Sequence, residues 1–116
     1  MKKIQSKYFE KLSPLENDII AILWQCEKMY VRDIYNKLKD KRKVALTSIA
    51  VNLDRLHKKG VVGRKVETSR GGFRYLYFPA KDQKEYEKDV IDSVVNKLID
   101  KFGRTAVSYF NERFSK

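Results

Sequence analysis

Cysteine is nearly absent: Cys26 stands alone in the 116 residues, so neither an intrachain disulfide framework nor a cysteine-cluster metal site can be assembled. Its apolar context predicts a buried small hydrophobe. Histidine is as scarce, and His57, the single one, has no nucleophile, metal cluster or phosphate-binding loop beside it. The sequence therefore predicts no enzyme and no cofactor. Long apolar runs are missing too, and the opening MKKIQSKYF lacks the hydrophobic core of a signal peptide. The expected location is the cytoplasm, with no membrane partner.

Acidic residues are the last shortage. There are 15 against 26 Lys and Arg, a net charge of +11, which points to a polyanionic partner. The excess is concentrated in residues 41 to 76, where ten cationic side chains face only Asp54 and Glu67, a local balance of +8. A length of 116 residues suits one compact unit with a modest core, which a partner subunit would help to stabilise.

The basic stretch has a readable organisation. From Ile49, steps of 100° bring Leu53 and Leu56 onto one face, the mark of an amphipathic helix, here spanning roughly 46 to 59. Thr47, Val51, Arg55 and Lys58 fall opposite, flanked by Ser48 and Asp54. Thr47 or Ser48 is expected to cap the start, and Lys58, Lys59 and Gly60 to close the end. Beyond Gly60 the period becomes two: Val62, Arg64, Val66 and Thr68 on one run, Phe73, Tyr75 and Tyr77 on the next. Ser69, Arg70, Gly71 and Gly72 form the expected turn. A two-stranded wing must bury one face, so the three rings are expected in the core. A helix followed by a basic hairpin is the reading half of a winged helix-turn-helix.

Upstream, residues 1 to 12 lack a clear period and read as an arm with no function assigned. Ser13-Pro14-Leu15-Glu16 is a helix start with serine cap, proline at the first position and glutamate closing a capping box. That helix runs to about Cys26 with the stripe Leu15, Ile19, Ile22, Leu23 and Cys26, and Trp24 is expected in the core. Val31, Ile34, Tyr35 and Leu38 mark a short second helix, followed by the basic connection Lys39 to Val44. Downstream of Pro79, Val90, Ile91, Val94, Val95, Leu98, Ile99 and Phe102 recur at helical spacing over about twenty residues. Gly103 stops this helix, and Ala106, Val107, Phe110 and Phe114 mark another. These stripes want a partner, and a second copy is the economical one.

The segments LSPLENDIIAILW, VRDIYNKL, LTSIAVNLDRLHKKGVVGRK, RYLYFP and DVIDSVVNKLIDKFGRTAVSYF together resemble the penicillinase-repressor family across about residues 12 to 112. The resemblance implies a homodimeric DNA-binding repressor with a winged-helix domain and helical dimerisation region. Two features of that family are not carried over. The Asn-Phe bond cut in antibiotic-responsive members is matched here by Tyr109-Phe110, and the C-terminal cysteine cluster of the copper-responsive branch is missing. The inducer is left open.

The expectation is thus a mainly α fold with a small β-hairpin, residues 1–80 forming a winged-helix DNA-binding domain and 81–116 a helical dimerisation region. Thr47, Ser48, Val51 and Arg55 are assigned to base edges in the major groove. Lys43, Lys58, Arg70 and Arg74 are assigned to phosphates, and Asn52 to a structural hydrogen bond. For Arg55 the structural alternative is an ion pair to an acid of the first or second helix. Val90, Val94, Leu98, Phe102, Val107, Phe110 and Phe114 are assigned to the dimer interface. The partners expected are double-stranded DNA and a second copy. The competing readings are a nonspecific duplex or RNA binder, and a protein-protein module of a transcription complex.

Overall fold

The computed structural model describes residues 12–115; of the arm read at residues 1 to 12, all but Leu12 lies outside them. In chain order the elements are α1 (Pro14–Cys26), β1 (Met29–Tyr30), α2 (Val31–Leu38), α3 (Leu46–Lys58), β2 (Val62–Ser69), β3 (Gly72–Pro79), α4 (Gln83–Phe102) and α5 (Arg104–Phe114). The chain divides into two compact units, with the change at Lys84 to Glu85.

In the first unit the capping box forms as its sequence predicts. Ser13 Oγ accepts from the Glu16 N–H at 3.1 Å, and the Ser13 N–H donates to Glu16 Oε1 at 2.8 Å. Ile19, Ile20 and Leu23 of α1, Ile34 and Leu38 of α2, and Ile49, Leu53 and Leu56 of α3 fill the core. The three-stranded antiparallel sheet, in the order β1-β3-β2, closes it with Leu76 and Tyr77 of β3.

Several expectations are corrected here. The buried face of α1 is rotated toward Glu16 and Ile20, leaving Leu15 and Ile22 half-buried. What makes the rotation possible is charge pairing: Glu16, only 3 % exposed, receives Lys59 Nζ on both oxygens, at 3.1 and 3.2 Å. Cys26 is exposed, because the end of α1 overruns the core and residues 25–28 all face solvent. Trp24 is half-buried, and its Nε1–H donates to the Lys81 carbonyl at 3.1 Å. No side chain caps α3, whose N-cap is Ala45; Thr47 and Ser48 already lie within its first turn. The short strand β1 was not foreseen, since two residues carry no period. It pairs Met29 with Tyr77 and Tyr30 with Leu76. The hairpin turn is tighter than expected: Ser69 and Gly72 are themselves a strand pair, leaving Arg70 and Gly71 as the loop. Of the three rings expected inside, only Tyr77 is buried, while Phe73 is 64 % exposed.

The second unit holds α4 and α5, joined at Gly103, whose φ of 57° lies in the left-handed region where a glycine costs least. Ile91, Leu98, Phe102, Val107, Tyr109 and Phe114 are exposed there.

The Glu16 carboxylate yields a pH-dependent prediction. Burial raises its pKa, but the Ser13 N–H and the Lys59 ammonium outweigh burial and hold it below the ordinary 4.5. A depressed native pKa contributes stability that is present above the unfolded-chain value and is lost as pH falls through the native one. Glu16→Gln should therefore flatten the acid limb of the thermal midpoint against pH below about 4.5. Lys59→Met, which strands the carboxylate, should cost near the lower end of the roughly 3–5 kcal/mol seen when one member of a buried pair is removed. Chemical denaturation of both variants between acid and neutral pH checks this.

Candidate nucleic-acid interface

The inward face of α3 fixes what its outward face offers. With Ile49, Asn52, Leu53 and Leu56 buried, Thr47, Val51, Arg55 and Lys58 lie on the exposed side, at spacings of three and four that align them along one stripe. Val51 is 48 % exposed. Ser48 is half-buried, and its carbonyl accepts from Asn52 Nδ2 at 2.8 Å, so Asn52 has the structural role expected of it. Arg55 makes no ion pair among the described residues; the acids of α1 and α2 do not reach it.

The cationic residues of this stretch divide into those engaged by the fold and those left to solvent. Lys59 is taken by Glu16, and Arg42 by Asp18, which ties down the connection Lys39 to Val44. Arg64 is the most constrained. Its Nη1 donates to Asp54 Oδ1 at 2.9 Å and to the Tyr77 hydroxyl at 3.2 Å, while its guanidinium lies 4.1 Å from the centroid of the Tyr75 ring. Asp54 also receives Lys58 Nζ at 3.1 Å, one helical turn on. Arg64 first, then Lys58, hold the Asp54 carboxyl below its ordinary pKa, and Asp54 with Tyr77 raises that of Arg64.

Arg74 projects on the other face of the hairpin, 3.7 Å from the centroid of Tyr30. The Tyr30 hydroxyl donates to Glu67, and that bond leads the upward shift of its pKa. Strand β1 thus braces the wing. Arg70 stands exposed in the two-residue loop at the hairpin tip, and Lys43 is exposed just before α3.

The fold therefore brings Thr47, Val51, Arg55 and Lys58 together on one helix face, and carries Arg70 and Arg74 on the wing beside it. Ser48 is turned partly inward. Sequence reasoning counted Arg64 only as charge. Its partners Asp54 and Tyr77 are ten and thirteen residues away, on separate elements, and only the register Arg64↔Tyr77 makes the cluster visible. His57 is half-buried at the end of α3, and no group of three or more metal-binding side chains gathers among the described residues. No helix among them is long and apolar enough to cross a membrane.

Comparisons with known proteins bear on the family and the fold. The family described as penicillinase repressor matches residues 12–115. A PadR family transcription regulator from hypervirulent Clostridium difficile R20291 is similar in fold, with a TM-score of 0.52 at 16% identity over 78% of this chain and 98% of that one. A PadR-like transcriptional regulator from Bacillus cereus strain ATCC 14579 aligns with a TM-score of 0.49 at 25% identity, over 73% and 90% of the two chains. No curated protein matches by sequence.

The Arg64 cluster makes a measurable claim. A double-mutant cycle on Asp54 and Arg64 should give a favourable coupling that shrinks with added salt. Arg64→Lys should recover less than half of it, because an ammonium cannot stack flat on the Tyr75 ring.

Proposed function

The chain belongs to the penicillinase repressor family, which makes it a DNA-binding transcriptional regulator and not an enzyme; on that premise we propose that it represses as a cytoplasmic homodimer, reading a palindromic operator. The observation that carries this reading is the exposed stripe Thr47, Val51 and Arg55 on a helix whose opposite face is locked in the core.

Arginine forms bidentate bonds to guanine in the major groove, and the valine methyls favour thymine. Thr47 and the accessible part of Ser48 supply hydroxyls for either pattern. Lys43, Lys58, Arg70 and Arg74 neutralise phosphates and set register without reading sequence. The uncapped start of α3 suits the same task, since its free N–H groups and the positive end of the helix dipole favour an anion.

In this reading residues 1–80 hold the DNA-binding function and 81–116 pair the two copies. Val90, Val94, Leu98, Phe102, Val107, Phe110 and Phe114 form the seam. Its support is the apolar surface of the second unit, where Phe102 is 53 % exposed and an open cleft of about 280 Å³ is lined by Leu98, Phe102, Thr105, Ala106, Tyr109 and Phe110. Burying a side chain of this size is worth roughly 1.5–3 kcal/mol, so several across a two-fold axis offset the cost of association. The axis would set two reading helices on half-sites about one helical turn apart, or a multiple of that spacing.

Selection from a random duplex pool should return a palindrome, and an asymmetric or featureless consensus would end this proposal. Arg55→Ala should relax preference at one base pair per half-site, at a cost of roughly 1–3 kcal/mol. Arg70→Ala should instead weaken all duplexes alike and lower the slope of log affinity against log salt by about one. Sedimentation should find a dimer at micromolar concentration and a monomer after Leu98→Glu.

A further inference from the structure

The apolar end of the wing is not used by the reading above. Phe73 is 64 % exposed and Val66 56 % exposed, on strands whose neighbouring positions are rich in charge. In the register of β2 and β3, Thr68 faces Phe73 and Val66 faces Tyr75, so these four share one side of the hairpin with the pair Arg64 and Tyr77. That side is the one turned toward α3, because Arg64 crosses from it to Asp54. The ring of Phe73 is not loose: it meets Tyr75 edge to face with centroids 5.8 Å apart, and Tyr75 meets Tyr77 in the same way at 5.9 Å. A row of three rings thus runs from the core to the tip, where the last one stands in solvent beside Arg70.

Leaving a phenylalanine in water at a hairpin tip forgoes the burial such a ring gains elsewhere. The surroundings decide what covers it. With Arg70 exposed in the loop that precedes it and residues 41 to 76 carrying a local balance of +8, the apolar patch sits in a cationic stretch. That setting suits a side chain entering a groove between phosphates better than one meeting a protein partner of neutral chemistry.

Resting on the reading of this chain as a duplex binder, we infer that Phe73 is a minor-groove wedge that selects DNA by its ease of unstacking. With α3 in the major groove, the wing reaches the flanking minor groove. An apolar side chain driven against a base step there partly opens the stack and kinks the duplex. Pyrimidine–purine steps yield most readily and A-tracts least, so the wing contributes a preference at positions where it makes no hydrogen bond. Val66 and Thr68 flank the ring and pack against the sugar edges; Tyr75 backs it and prevents its retreat.

The test uses the full-length protein and duplexes selected from the random pool, with the step under the wing located by hydroxyl-radical footprinting and then changed from TA to AA. Wild type should favour the TA duplex by on the order of tenfold, with a rise in 2-aminopurine fluorescence at that step on binding. Phe73→Ala should bring the two duplexes within about twofold and abolish the fluorescence change, leaving the salt slope unaltered because no charge is removed. Phe73→Leu should retain most of the discrimination. Three results would overturn the inference: undiminished discrimination in Phe73→Ala, an equal loss on both duplexes, or a loss confined to single-stranded DNA. Each of them leaves Arg55→Ala free to report on the major-groove reading, so the two proposals fail separately.

Discussion

A buried carboxylate sets the orientation of the reading helix. Glu16 sits at the start of α1, tied to the Ser13 backbone and paired with Lys59 at the end of α3. A helix held only by Ile49, Leu53 and Leu56 could roll within a tolerant apolar core, whereas an ion pair out of solvent is costly to break and sensitive to geometry. The second tether, Asp54 to Arg64, binds the same helix to the wing. Between them these contacts determine which side chains of α3 face outward, and with that the chemistry the molecule can present to a duplex.

The wing is held by the same kind of arrangement on both sides. One face carries Arg64 between Asp54 and the Tyr75 ring, and the other carries Arg74 over Tyr30 with Glu67 bonded to the tyrosine hydroxyl. A two-stranded ribbon alone is marginally stable; here the third strand pairs with its base, and the cation–aromatic contacts of Arg64 and Arg74 add to that support. Among the described residues, Arg55, Arg70 and Lys43 make no ion pair.

Much of this was legible in the sequence because it rested on period. The helices α1, α2, α3 and α4 follow apolar spacing, the capping box at Ser13 follows residue type, and the change to a period of two after Gly60 marks the hairpin. The failures have physical causes. Glu16 was read only as a cap, since nothing local reveals that Lys59, 43 residues away, will follow it inward. Cys26 lies on the correct side of α1, but no wheel shows where a core ends. Phe73 has the alternation of a buried residue and the position of a tip, and position prevailed. The stripe Thr47, Val51 and Arg55 was found by elimination, as the part of α3 the core could not use.

The separation between that stripe and the core bears on how such a protein changes over generations. Among the described residues, the side chains of Thr47, Val51 and Arg55 share no hydrogen bond or ion pair with the side chains that hold α3 in place. Substitutions there alter the surface offered to a duplex at little cost to folding, because exposed positions outside such networks rarely shift stability by more than about 0.5 kcal/mol. A duplicated copy could drift toward a new target one residue at a time, never passing through an unfolded ancestor. The frame would persist unaltered while its addressee was rewritten.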